Sequence, residues 1–239
     1  MPYYLTNQLL AVGDNFKMIG SEMHHIRVNR QLALGNYISV QDPKPKRFLC
    51  VITEIFNDHI LLKVDQVVAT INIKDRKLSL YVGFAREKAL NFILQKSTEL
   101  NVQEIVLFKS TYSQPIPKEA TLHQKVNRWQ KIISEAAKQS NRLDLPKLTV
   151  LNSLITAKER ACTNKELIYV FDKEGKKLSH QSLISLKPSA LFIGPEGGFS
   201  VEELKLISID KNCIFKLGDL NLRVETAAIT ALSLLKLAN

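Results

Sequence analysis

Apolar residues follow two regimes along this chain. Over the first ~70 residues they come in short, β-branched or aromatic runs cut by turn residues. Tyr37–Val40, Arg47–Ile55 and His59–Val64 read as strands, with Asp42-Pro43-Lys44-Pro45 and Asn57-Asp58 as the turns between them. From Leu78 onward, buried-type runs alternate with stretches of helical period. Strands are predicted at 78–82, 104–109, 147–150, 166–171, 189–193 and 213–217, and helices at 84–100, 121–141, 152–161, 200–209 and 224–237. Such alternation gives a mainly parallel α/β sheet. The regimes meet between Ile71 and Leu78, at the polar joint Lys74-Asp75-Arg76-Lys77, so the chain divides into a β-rich domain, 1–72, and an α/β domain, 73–239.

Composition adds little until charge is mapped. At 239 residues, with 45% apolar and 23% charged content, the chain can bury a substantial core and has ordinary globular chemistry. No stretch approaches the ~20 apolar residues of a membrane span. The N-terminus has neither the basic start nor the long apolar run of a secretion signal. Cys50, Cys162 and Cys213 are odd in number and far apart, against a disulfide framework or a zinc cluster, and a reduced cytoplasm fits best. The net charge of +10 is uneven: residues 1–72 carry 7 basic and 6 acidic side chains, residues 73–150 carry 14 and 7, and residues 151–239 carry 12 and 10. A basic middle segment suits a polyanion such as RNA, although a solvated lysine-rich surface would look the same.

The candidate chemistry lies near the C-terminus. Gly194-Pro195-Glu196-Gly197-Gly198-Phe199-Ser200 holds three of the nine glycines. It follows the apolar run Ala190–Ile193 and precedes a Ser200-x-x-Glu203 capping box, so it joins a buried strand to a helix start. A second run, Gly218-Asp219-Leu220-Asn221-Leu222-Arg223-Val224-Glu225-Thr226-Ala227, follows the strand Cys213–Leu217. Ligands of open α/β sheets sit outside the carboxyl ends of strands, where two glycine-bearing loops could form one site. Neither loop reads as a P-loop or as G-x-G-x-x-G. An ordinary strand-to-helix turn is the bland alternative for each.

The two loops together resemble the RsmE-type 16S ribosomal RNA methyltransferases of the knotted SPOUT superfamily. Further matches run in family order: His24-His25…Val28-Asn29-Arg30…Gly35-Asn36, then Lys96-Ser97-Thr98-Glu99-Leu100-Asn101-Val102, then Glu135-Ala136-Ala137-Lys138-Gln139-Ser140-Asn141-Arg142…Pro146. Asn29, Asn36 and Asn101 stand where the family usually has Leu, Asp and Gly, and Leu220-Asn221 where it more often has Arg-Ile.

The resemblance implies a PUA-like RNA-binding β-barrel before a SPOUT domain. That domain's mainly parallel sheet would carry helices on both faces, with the C-terminal segment threaded into a trefoil knot. It implies a homodimer acting on 16S rRNA or the small ribosomal subunit, with S-adenosylmethionine as cofactor and no metal. The reaction would be methylation of N3 of a uracil. Phe192, Ile193, Gly194, Glu196, Gly197, Gly198, Leu217, Gly218, Leu220, Asn221, Leu222 and Thr226 would line the cofactor. Arg223 would stabilise charge on the uracil, although a phosphate contact or an ion pair with Glu225 suits it equally. Glu196 would meet cofactor or base, or act as a helix N-terminal charge. Arg30, Lys96, Gln139 and Arg142 would meet RNA, although Lys96 with Glu99, and Glu135 with Gln139 and Arg142, have the spacing of plain surface pairs. Trp129 is expected to pack a helix. His24-His25 has no further ligand cluster beside it. Another SPOUT activity, 2′-O-methylation of ribose, and a non-catalytic RNA-binding factor are the alternatives.

Overall fold

The described residues of this computed structural model are 3–30, 32–44, 46–70, 77–179, 185, 187–208 and 213–237. They form two compact units, Met1–Ile73 with Ala137–Asp144, and Lys74–Ala136 with Leu145–Asn239. The polar joint at 74–76 lies outside the described residues.

The first unit is built on a five-stranded sheet in the order β1-β3-β4-β5-β2. Its strands are β1 (Tyr3–Leu5), β2 (Asn15–Met18), β3 (Tyr37–Gln41), β4 (Lys46–Ile55) and β5 (Ile60–Thr70). All neighbours are antiparallel except β1 and β3. The register slips three times between β4 and β5, and each slip bends the long hairpin further. No pairing closes β1 onto β2 among the described residues, so the expected barrel is a curled, open sheet. Its concave side packs Phe16, Met18, Ile38, Val40, Phe48, Ile52 and Leu62 against Ile26 of α1 (Gly20–Arg30), a helix absent from the sequence reading. Asn36 accepts the Ala33 N–H through Oδ1 at 2.9 Å, a turn role that an Asp would fill equally.

Residues 137–144 also belong to this unit, at the end of α3 (Glu119–Gln139). The Arg47 guanidinium lies 3.9 Å from the Tyr3 ring centroid and donates to the Arg142 carbonyl at 3.1 Å. Tyr3 donates to the same carbonyl at 2.7 Å, Arg47 also reaches Asn141 Oδ1, and Gln41 donates to the Leu143 carbonyl. These donors satisfy backbone carbonyls of the segment that follows α3.

The second unit is a six-stranded, all-parallel sheet in the order β11-β9-β10-β6-β7-β8. The strands are β6 (Leu78–Gly83), β7 (Glu104–Phe108), β8 (Lys147–Leu151), β9 (Leu167–Lys177), β10 (Ser189–Ile193) and β11 (Ile214–Lys216). Every residue of β6, β7 and β10 is buried, as expected of parallel strands covered on both faces. Side-chain alternation splits them cleanly. Leu78, Leu80, Val82, Ile105, Leu107, Leu191 and Ile193 face one core, with α2 (Glu87–Glu99), α3 and α6 (Val224–Leu237). Tyr81, Val106, Phe108, Ala190 and Phe192 face the other, with α4 (Leu154–Thr163) and α5 (Val201–Ile207). Trp129 is 1% exposed and meets Phe84 edge-to-face at 5.8 Å, the packing role expected of it. Asn101 ends α2 at φ 62°, a left-handed position that Asn tolerates in place of Gly.

Two of the shifted boundaries have a plain cause. Helix α2 starts at Glu87 rather than 84, because Phe84 still bonds the end of β7 through Phe108. Strand β9 runs on through polar residues to Lys177, because β11 pairs Ile214 with Val170 and then Phe215 with Lys176. A Cβ on Gly175 would stand 2.3 Å from the Phe215 carbonyl carbon, so the paired strands β9 and β11 approach there at backbone contact.

Candidate active site

Strands β10, β9 and β11 end on the same edge of the parallel sheet, and both glycine loops leave from that edge. The loop after β10 is a fixed object. Pro195 accepts the Gly198 N–H at 2.9 Å to close a tight turn, with Gly198 at φ 73°. A Cβ on Gly194 would stand 2.8 Å from the Gly198 carbonyl carbon, so no larger residue fits the turn. The predicted capping box is present: Ser200 accepts from the Glu203 N–H, and Glu203 accepts from the Ser200 N–H. Glu203 also accepts the Thr111 N–H at 2.8 Å, which ties the segment after β7 to this loop. Tyr112, 53% exposed, then lies directly against Gly197.

Glu196 sits at the exposed tip, and its Oε1 accepts the Arg86 N–H at 2.8 Å. Arg86 is the N-cap of α2 and has no side-chain cap of its own. The Glu196 carboxylate therefore occupies the helix N-terminus, where its charge is favoured. Phe192 and Ile193 are buried, so only their backbone can meet a ligand.

The loop after β11 is open. Gly218 is at φ 153° with nothing within 4 Å of a built Cβ. Leu220 is 83% exposed, and Asn221, Leu222, Arg223 and Thr226 are exposed as well, with Leu217 half-buried at the base. Within the loop, Lys216 donates to Asp219 at 2.7 Å and holds that carboxyl below its ordinary value. Among the described residues, no partner within the chain takes the backbone N–H groups of Gly218–Leu222. Nor does a hydrogen bond or ion pair engage the Arg223 side chain, so an ion pair with Glu225 is not formed. Arg223 is placed by its backbone, whose carbonyl starts α6 by accepting the Ala227 N–H at 2.8 Å.

A carboxylate missed in the sequence stands beside the first loop. Register pairs Phe171 with Ile193, so Asp172 leaves β9 beside Gly194. Its Oδ1 accepts the Glu174 N–H at 3.0 Å, and its Oδ2 lies 3.9 Å from where a Cβ on Gly198 would stand. No periodicity marks this residue, since only the β9–β10 register brings it to the loop.

Two glycine-bearing loops with open amides, one cation and one carboxylate suit a polar ligand at the edge of an α/β sheet. The RNA methyltransferase domain model matches residues 72–236, which contain all of these elements. The chain belongs to the RNA methyltransferase domain family. It is 28% identical over 240 residues to the ribosomal RNA small subunit methyltransferase E of Bacillus subtilis, covering 96% of this chain and 92% of that protein. Against the Rickettsia conorii protein of the same name it is 25% identical, covering 97% and 93%. A Legionella pneumophila methyltransferase solved with S-adenosylmethionine bound has the same fold, with a TM-score of 0.86 at 26% identity and coverage of 99% and 97%. The Neisseria gonorrhoeae methyltransferase E structure matches with a TM-score of 0.84 at 22% identity, covering 98% and 95%.

The expected RNA contacts of this methyltransferase scatter. Lys96 is in the last turn of α2, about 14 Å of helix rise from its start, and pairs with Glu99 at 2.9 Å. Arg142 is 7% exposed and pairs with Asp144 at 2.9 Å, so its guanidinium faces the first unit's own chain rather than solvent. Gln139 is exposed at the end of α3. Arg30 ends α1, and its side chain lies outside the described residues. No helix among the described residues is long and apolar enough to cross a membrane, and none of their His, Cys, Asp and Glu form a group of three placed for a metal ion.

Proposed function

We propose that this chain methylates N3 of a uracil in 16S rRNA, using S-adenosylmethionine, and that it works as a homodimer in the cytoplasm on rRNA of the small ribosomal subunit. The observation that carries this reading is similarity over nearly full length to the small subunit methyltransferase E proteins, with both glycine loops inside the matched domain. The residues fit the cofactor. Open amides at Gly218–Leu222 and the backbone of Phe192–Gly194 offer hydrogen bonds to an adenine edge and a ribose, and Gly218 has clear space beside it. When bound, S-adenosylmethionine supplies a methyl group on a positively charged sulfur, which a nitrogen lone pair can take.

Uracil N3 has no free lone pair until its proton leaves. Arg223, a fixed and permanently charged fork, is placed to stabilise the negative charge that then spreads onto the uracil oxygens. Asp172 is the carboxylate we assign to accept that proton. Glu196 contributes by holding the first loop on α2 rather than by touching the reacting atoms. The first unit is read as the PUA-like RNA-binding domain, 1–72, before the catalytic domain, 73–239. Exposed Phe92 on α2 and Leu234 and Leu237 on the adjoining α6 support self-association.

The test is methyl transfer from labelled S-adenosylmethionine to 30S subunits lacking the mark, with mass mapping of the product. N3-methyluridine at one 16S position is expected. Transfer to a ribose 2′-oxygen, or none to subunits or free rRNA by folded protein, overturns the reading.

A further inference from the structure

Next to the first loop, the second unit has a cleft of about 270 Å³ that plays no part in the chemistry above. It lies at the carboxyl ends of β6 and β7, between the start of α2, the segment 114–117 and α3. It is lined by Pro115 and Pro117, which reach solvent, and by Leu90 and the Phe84–Trp129 pair, which are buried. Its polar groups are the Gln114 amide and the cations Arg86 and Lys125, with Glu87 between cations. Glu87 is neutralised twice, by Lys125 at 2.7 Å and by Arg128, and the hydrogen bond from Lys125 leads in holding its carboxyl below the usual range. The local balance is thus positive.

Two connections join the cleft to the reaction site. Arg86 gives its backbone N–H to Glu196 at the tip of the first loop, which leaves its side chain to the cleft. The segment that forms the other wall starts under that loop, with Thr111 bonded to Glu203 and Tyr112 against Gly197, and Gln114 N–H then bonds the Phe84 carbonyl at 2.8 Å. Loop, exposed tyrosine and cleft therefore form one continuous strip.

We propose that this cleft is a subsite for one nucleotide of the RNA substrate, next to the nucleotide being methylated. Its base lies against Pro115 and Pro117 and meets the Gln114 amide, and its phosphate meets Arg86 and Lys125. A base with an anionic linker matches exposed proline rings beside a cationic rim, and single-stranded RNA is read through such packing and phosphate contacts. The basic excess of residues 73–150 supplies the surrounding field. The subsite rests on the RNA-methylation reading and adds where the neighbouring nucleotide is held.

The experiment compares the wild-type chain with Arg86→Ala and Arg86→Glu, both of which keep the backbone bond to Glu196. Equilibrium binding of an rRNA fragment is measured across salt concentrations, alongside methyl-transfer kinetics and S-adenosylmethionine affinity. Arg86→Glu is expected to weaken RNA binding roughly 10-fold or more, and Arg86→Ala to lower the salt slope by about one. The loss should fall on KM for RNA, with cofactor affinity and thermal stability unchanged. Fragments carrying 4-thiouridine beside the target should photocrosslink to peptides 84–90 or 112–117. Unchanged RNA affinity in Arg86→Glu, or crosslinks only elsewhere, overturns the subsite. Because binding is measured apart from transfer, a wild-type chain that binds RNA without methylating it would sink the catalytic reading and still score this one.

Discussion

The loop after β10 is tied along its whole length, whereas the loop after β11 is held only at its two ends and by one ion pair inside it. The first closes its own turn at Pro195 and Gly198, hands a carboxylate to α2, and starts α5 with a complete capping box. The second exposes Gly218 to Arg223 to solvent and leaves its amides without partners in the chain among the described residues. A preorganised wall beside an adaptable one would suit the proposed site for S-adenosylmethionine and a base. The rigid wall loses little entropy on binding, and the open wall can close on whatever enters.

The comparison can be broken first at Arg223, the one cation of the open loop. If it works by charge stabilisation, Arg223→Ala should lower kcat by roughly 10²–10³. Cofactor affinity should move less than about threefold. Arg223→Lys keeps the charge and loses the fork, so partial activity is expected. A large loss of cofactor affinity in Arg223→Ala would instead make this residue part of the binding wall.

Paired glycine substitutions sharpen it next. Gly194→Ala drives a Cβ into the Gly198 backbone at 2.8 Å, and backbone cannot step aside as a side-chain end can. Overpacking of this kind costs ~1–3 kcal/mol, so cofactor affinity should fall on the order of 10- to 100-fold. Gly218→Ala meets only open space, and its cost is the strain of a positive φ, ~1 kcal/mol or about fivefold. Isothermal titration with S-adenosylmethionine measures both. Equal losses would mean that the two loops are equally constrained.

Much of this contrast was legible in residues close together in sequence. The capping box needs only Ser200 and Glu203, and the parallel sheet follows from apolar runs alternating with helical ones. What escaped depended on distant pairing. Among its described side chains, helix α1 buries only Ile26 fully, so these write almost no helical period into the sequence. The polar end of β9 is a strand only because β11 shifts register onto Lys176 and Lys177. Asp172 reaches the site through that same strand. For Glu196 the sequence leaves both the chemical and the helix N-terminal reading open, because its partner Arg86 lies 110 residues away. Arg142 was assigned to RNA because nothing local shows that Tyr3 and Arg47 hold its carbonyl, or that its side chain is buried. Knotted threading is likewise invisible to general connection rules, and only the resemblance suggested it.

Glu196 offers a smaller test of the rigid wall. Removing its carboxylate uncaps α2, which typically costs ~1 kcal/mol. Glu196→Ala should lower the thermal midpoint by a few degrees and weaken cofactor binding modestly, with kcat retained within about tenfold. A collapse of kcat at unchanged cofactor affinity would return Glu196 to the reacting centre.

The smallest effect concerns what lies beneath the rigid wall. Phe192, at the root of the first loop, stacks on Tyr81 at 4.5 Å, and Tyr81 donates to Glu166 Oε2 at 2.9 Å. Burial pushes the Glu166 carboxyl above its ordinary 4.5, while the hydroxyls of Ser79 and Tyr81 pull the other way. A carboxyl raised in the folded state favours the protonated form there. Its contribution to stability is therefore full below pH 4.5 and is lost as pH rises through the raised folded value, after which the curve is flat. Glu166→Gln removes this dependence and keeps one acceptor for two hydroxyls, which is a pH-independent cost. Relative to wild type, the variant should thus gain stability as pH rises from 4.5 through the raised carboxyl value. Denaturant unfolding at several pH values measures the trend, and an opposite slope would mean that Glu166 is held ionised. Cofactor affinity measured alongside decides whether the foundation and the wall are coupled. If the rigid loop is fixed by its own bonds, as its contrast with the open loop implies, affinity should not follow the change in stability.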